Sequence, residues 1–152
     1  MHLTTYLRLL QTAEGTLGDS YRVVAAGHRA DADVHYACLR FAADCAEHAE
    51  ALRPVLTRYD RARESEPERL HPPGLTTARN GPVGLLRDLQ DLYQLANLVE
   101  ITWGMVGQAG HGARVRDLMD IVTRCDRQLK AQLAWLRMRM RAAAPQTLLV
   151  AS

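Results

Sequence analysis

Aromatic residues are scarce in this chain of 152 residues: one Phe, two Trp and five Tyr make up 5% of it. With a formal charge of only +2, that scarcity argues against a nucleic-acid surface built from stacking rings and a broad basic patch. No apolar run approaches the roughly 20 residues that a bilayer requires, so no membrane partner is expected. The N-terminus, Met1-His2-Leu3-Thr4-Thr5-Tyr6, has no basic stretch followed by an apolar one, so no signal peptide is read there. Three cysteines, Cys38, Cys45 and Cys125, form no CxxC or other zinc-like spacing. Cys38 and Cys45 follow each other along one side of a helix about 10 Å apart, too far to pair without unwinding it. Free, mostly buried thiols suit a reducing, cytoplasmic setting. A nucleophile elbow, a Walker loop, Gly-x-Gly-x-x-Gly and HExxH are all missing.

What remains is ample for a core. With 47% hydrophobic and 24% charged residues, the chain reads as one domain spanning 1–152. A chain of this length buries roughly two-thirds of its unfolded surface and needs no disulfide or metal to do so. Charge is uneven along it. Residues 1–76 hold nine Arg against eleven acids, a net −2, and residues 77–152 hold ten Lys and Arg against six acids, a net +4. Most of the excess lies in 124–141, where Arg124, Arg127, Lys130, Arg137, Arg139 and Arg141 face only Asp126. A basic end to a last helix complements its dipole.

Apolar residues recur in steps of three and four in four segments. The first is Leu3, Leu7, Leu10, Leu17, Tyr21 and Val24, and the second is Val34, Cys38, Phe41, Cys45, Leu52, Val55 and Tyr59. The third is Leu85, Leu89, Leu92, Ala96, Val99, Trp103 and Val106. The fourth is Val115, Leu118, Val122, Cys125, Leu129, Leu133, Leu136 and Met140. These predict helices over about 2–28, 32–62, 82–108 and 112–142, each roughly 40 Å long. Asp31 and Asp33 mark the second start, Asn80-Gly81-Pro82 the third, and Gly107, Gly110 and Gly112 the third exit. The fourth stops near Pro145, before a tail over 143–152. Connections of a few residues make each flanking pair an antiparallel hairpin. The polar, proline-containing stretch 63–81 is long enough to run the height of a bundle, which permits the second and third helices to lie parallel. The fold class is therefore all-α, a four-helix bundle of two antiparallel hairpins joined by a long crossover.

Polar residues within the stripes are the informative ones, since burying an unpaired charge is expensive. Glu14 lies at the centre of the first apolar face, between Leu10 and Leu17. His48 lies equally deep on the second, with Asp44 one turn earlier on its shoulder, while Glu47 and Glu50 point outward. Glu14 and Asp44 stand at matching distances from the first turn, which puts them face to face. On the other hairpin Glu100 sits beside Ala96 and Trp103, and Asp126 sits between Val122 and Leu129. Pro54 removes one backbone bond and predicts a kink just beyond His48, either wrapping the bundle or widening a cavity beside the polar cluster.

With these residues the chain resembles the ferritin-like superfamily, whose di-iron members direct a Glu from each of two helices and Glu-x-x-His from each of the others inward. Glu14 matches the first-helix glutamate and Glu100 the third-helix one. The second helix departs, offering Asp44-x-x-x-His48, and the fourth departs further, since Leu129 follows Asp126 where a histidine belongs. The resemblance implies a metal set of Glu14, Asp44, His48, Glu100 and Asp126, with iron or manganese as the ion and ferroxidase or peroxide-handling activity. The residues themselves, with no histidine after Asp126, favour a degenerate site in which Asp44 or Glu14 pairs with His48 to fix helix register in a non-catalytic structural or partner-binding protein, the metal protein being the alternative.

Trp135 and Met138 fall on the outer side of the last helix, and the tail Thr147-Leu148-Leu149-Val150-Ala151 is apolar. The tail packs over its own bundle or docks on a partner, a homodimer being the commonest arrangement for such faces. His28 and His111 lie near the turns, and His2, His35 and His71 read as surface or capping residues without a functional role.

Overall fold

The periodicity of the apolar residues makes helices because each stripe needs a partner to bury it. The computed structural model describes residues 2–59 and 73–150, and every regular element among them is helical. Four long helices account for nearly all of it: α1 (Leu3–Gly27), α2 (Ala32–Tyr59), α3 (Gly81–Ala113) and α4 (Arg116–Pro145). One π turn, Gln146–Val150, follows α4. The core is continuous and draws on all four, from Leu7, Leu10 and Leu17 through Phe41 and Leu52 to Leu89, Trp103, Leu118 and Leu136. No helix among the described residues is long and apolar enough to cross a membrane. The expected end of the second helix at 62, crossover residues 63–72 with His71, and the last two residues of the tail lie outside the described residues.

Three boundaries differ from the sequence reading. The third helix does not exit at the glycines but runs through them to Ala113. Gly107 and Gly110 are buried there because α4 lies against them: a Cβ on Gly107 would stand 2.8 Å from Val122 Cγ1, and one on Gly110 would stand 3.2 Å from Leu118 Cδ2. The helix ends instead at Arg114, whose left-handed backbone (φ 57°) lets its N–H reach the His111 carbonyl and lets Val115 N–H reach that of Gly110. That double bond pattern is a Schellman motif with arginine where glycine usually stands. Consequently α4 begins at Arg116 rather than 112. The tail is not a break after proline, since α4 includes Pro145. Pro145 cannot donate to the carbonyl a turn earlier, and the chain continues as one wider π turn. At Pro54 α2 continues without interruption.

Trp135 is a further correction. It is half-buried, not outward, and packs edge-on against Phe41 with ring centroids 5.7 Å apart, so α2 covers the side of α4 that periodicity assigned to solvent. Met138 does remain exposed. All three cysteines are buried and free.

A buried histidine–carboxylate pair sits where α1 ends. His28 Nε2 lies 2.8 Å from Asp88 Oδ2, and the Arg79 backbone N–H and guanidinium donate to the two oxygens of Asp88 at 3.0 and 2.7 Å. Arg79 also reaches Asp91 at 2.8 Å. This group ties the segment before α3 to the end of α1. Gly27 allows it: a Cβ there would overlap that of Ala78 at 2.2 Å.

Candidate functional site

Midway along the bundle a layer of polar side chains interrupts the apolar core, with contributions from all four helices. Glu14 of α1 and His48 of α2 are both fully buried. They occupy core positions because each falls within its helix's apolar stripe. His48 Nδ1 meets Glu14 Oε1 at 2.9 Å, and Trp103 Nε1–H of α3 donates to the same oxygen at 2.7 Å. The other ring nitrogen, His48 Nε2, meets Oε1 of Gln128 on α4. An imidazolium, with a proton on each nitrogen, satisfies both acceptors at once. Burial opposes that charge, but contacts with Cys125 and Glu14 and the Glu14 charge outweigh it and raise the His48 pKa to about 10.

A second set of groups adjoins the pair. Tyr21 O–H donates to Gln132 Oε1 at 2.9 Å, and its pKa is raised chiefly by burial. The Cys45 thiol lies against Glu14 and Gln132, and burial together with the Glu14 charge pushes its pKa up. Asp44 is half-buried beside His48 and Gln132, and burial raises its pKa against the pull of the histidine. Glu14 Oε2 and Gln132 Nε2 are buried without a hydrogen-bond partner among the described residues.

Glu100 and Asp126 come together elsewhere. Lys130 Nζ lies 2.7 Å from Asp126 Oδ2 and 3.9 Å from Glu100 Oε1, at the edge between α3 and α4. Burial and the neighbouring Asp126 carboxylate raise the Glu100 pKa. The sequence-derived set therefore divides into Glu14 with His48 and Asp44 beside it, and Glu100 with Asp126.

A carboxylate-bridged metal centre does not fit these donors. Among the described residues no group of three or more His, Cys, Asp or Glu side chains is arranged to hold an ion. The His48 imidazole has both nitrogens directed at oxygen acceptors, whereas a metal needs a nitrogen lone pair.

Sequence reading missed Trp103 as a polar partner, because its position in an apolar stripe hides its N–H, and it missed both glutamines. Gln132 had a signal: it lies seven residues after Cys125 and four before Leu136, two turns and one turn along the same stripe. Asp88 and Arg79 were also overlooked, and His28 is a buried ligand of Asp88 instead of a bystander at the turn. His35 bonds the Ala25 carbonyl, consistent with a capping residue, and His111 is exposed. No family model, curated protein or solved structure matches the chain.

Proposed function

We propose that the chain is a ferritin-like bundle in which an ion pair stands in place of a metal centre, and that it works as a non-catalytic structural or partner-binding protein. One observation carries the reading: both nitrogens of His48 face oxygen acceptors, so the imidazole is committed to holding α1, α2 and α4 in register. A buried ion pair of this kind contributes more to the choice of one packing than to net stability.

The ferritin-like connectivity is part of the proposal and has its own support. Thr4 bonds Tyr59, Glu14 meets His48 and the Ala25 carbonyl meets His35, a progression in opposite directions along α1 and α2. Arg137 with Tyr93, Lys130 with Glu100 and Val122 with Gly107 give the same progression for α4 and α3. His28 with Asp88 and Glu14 with Trp103 extend it to α1 and α3. These contacts support the reading of two antiparallel hairpins, with α2 and α3 parallel and joined by a long crossover. Three buried free thiols suit a cytoplasmic location.

Purified protein, exposed anaerobically to ferrous or manganous ion and then desalted, is expected to retain no stoichiometric metal and to consume no oxygen when ferrous ion is added in air. Nitrogen-15 spectra of His48 should report an imidazolium at neutral pH. Retention of one or two ions per chain, lost in the double variant Glu14→Ala/His48→Ala, would overturn the reading and restore an iron or manganese carboxylate protein.

A further inference from the structure

The apolar surface left over by the core is concentrated at one end of the bundle. Nine large apolar side chains are exposed among the described residues, and seven of them lie in the first eight residues of α2 or α3, in the last eight of α4, or just beyond it. Three are consecutive: Leu148, Leu149 and Val150 are 65%, 83% and 67% exposed in the π turn. Three adjacent residues this open are unusual for a chain that buries Leu7, Leu10 and Leu17 completely.

Beside them is a concavity of about 470 Å³ in which Leu85, Leu86 and Leu89 of α3 and Thr147 make an apolar wall and the charged Asp31 and Arg139 stand in the lining as well. The tail cannot fill the notch of its own chain as it stands. Thr147 already forms part of the wall and is buried, and the next three residues leave it pointing to solvent. To fold inward they would have to unwind the π turn and pull Thr147 out. A second copy has no such constraint. It brings an unfilled notch and an uncovered tail of the same kinds, adjoining each other at the same end.

We propose that two copies of the chain exchange these features about a two-fold axis, Leu148, Leu149 and Val150 of each seating in the notch of the other. Exposed Tyr36 and Val83, near the same end, extend the apolar contact. Because tail and notch adjoin, one reciprocal contact satisfies both copies and closes the assembly, whereas a one-way insertion would leave a tail free and build filaments. The contact lies away from the Glu14–His48 layer and stands whether or not that layer binds a metal.

Light scattering on the full chain across a dilution series tests it, with a dimer expected at about 100 µM. Leu149→Asp removes the tail's apolar character and Leu86→Asp charges the notch; each should raise the dimer dissociation constant at least about a hundredfold. Neither should change the circular dichroism spectrum. An equimolar mixture of the two variants retains one intact tail and one intact notch, and should recover part of the dimer as a heterodimer. A wild-type chain that stays monomeric at that concentration overturns the proposal, whether its tail amides are protected from hydrogen exchange by closure on their own notch or are left open for a foreign partner. So does a dimer indifferent to both substitutions.

Discussion

Among the described residues two buried carboxylates each hold a histidine, but in different company. At the bundle end, Asp88 has both oxygens satisfied, by His28, by the Arg79 backbone N–H and by the Arg79 guanidinium. In the middle, one oxygen of Glu14 takes both His48 and Trp103 while the other has no described partner. Arg79 is nearly half exposed and can turn to water, so charge at the end has an escape. His48 has none. An imidazole–carboxylate pair is thus a replaceable clamp in one place and an obligatory register pin in the other, because solvent access sets what a lost partner costs.

The comparison is tested most sharply by removing each anion. Glu14→Ala leaves a buried imidazole and an indole N–H without their acceptor, and should cost about 3–5 kcal/mol in urea unfolding. If its cost proved no larger than that of Asp88→Ala, the distinction between the two regions would collapse. Next comes pH. The folded His48 pKa, about 10, stands above the ordinary 6.5, so the folded chain binds the proton more tightly and its stability must fall as pH rises through that interval. The loss should be on the order of 3 kcal/mol between pH 6.5 and about 10, with His48→Gln flattening the slope below pH 9. Above the ordinary thiol value of 9, Cys38, raised by burial to about 12, adds a loss of the same sign. A stability curve flat from pH 6.5 to 9 would remove the imidazolium from the layer.

Asp88→Ala should cost about 1–3 kcal/mol, since the half-exposed Arg79 guanidinium can be solvated when its acceptor is lost. Thermal unfolding of the variant measures it. Away from both regions, Arg114→Gly should stabilise by about 1 kcal/mol by relieving an L residue in the left-handed region, and an unchanged melting temperature would show that Arg114 bears no such strain. Glu100→Gln removes one of two neighbouring carboxylates at a partly solvated edge and should shift stability by less than about 0.5 kcal/mol. A loss of several times that would mean this acidic pair, instead of the Glu14–His48 layer, carries the structural burden.

Much of this was legible beforehand, for reasons particular to certain residues. Glu14 and His48 could be found because a charged or titratable side chain within an apolar stripe has little choice but to find a partner. Asp126 gave the same signal and lies instead at an edge beside Lys130, because a residue on the shoulder of a stripe is turned inward or outward by how closely the neighbouring helix approaches. Gly107 and Gly110 look in sequence like a helix ending, yet the absence of a side chain serves equally well to admit Val122 and Leu118. Trp135 was assigned to solvent by its angle on α4, but that angle says nothing about how far around α2 reaches.

The sequence by itself determined four helices, most of the faces they bury, and that Glu14 and His48 lie inside, but not that Asp88 and His28 are buried too. Periodicity does this locally, since a side chain's direction depends only on its place along its own helix. Only the tertiary structure decided that Glu14 meets Trp103 as well as His48, that Gln128 takes the second nitrogen, and that Glu100 and Asp126 gather apart. Those pairings depend on the rotation and axial offset of one helix against another, which are set by the close fit of many small contacts and leave no local mark in the chain.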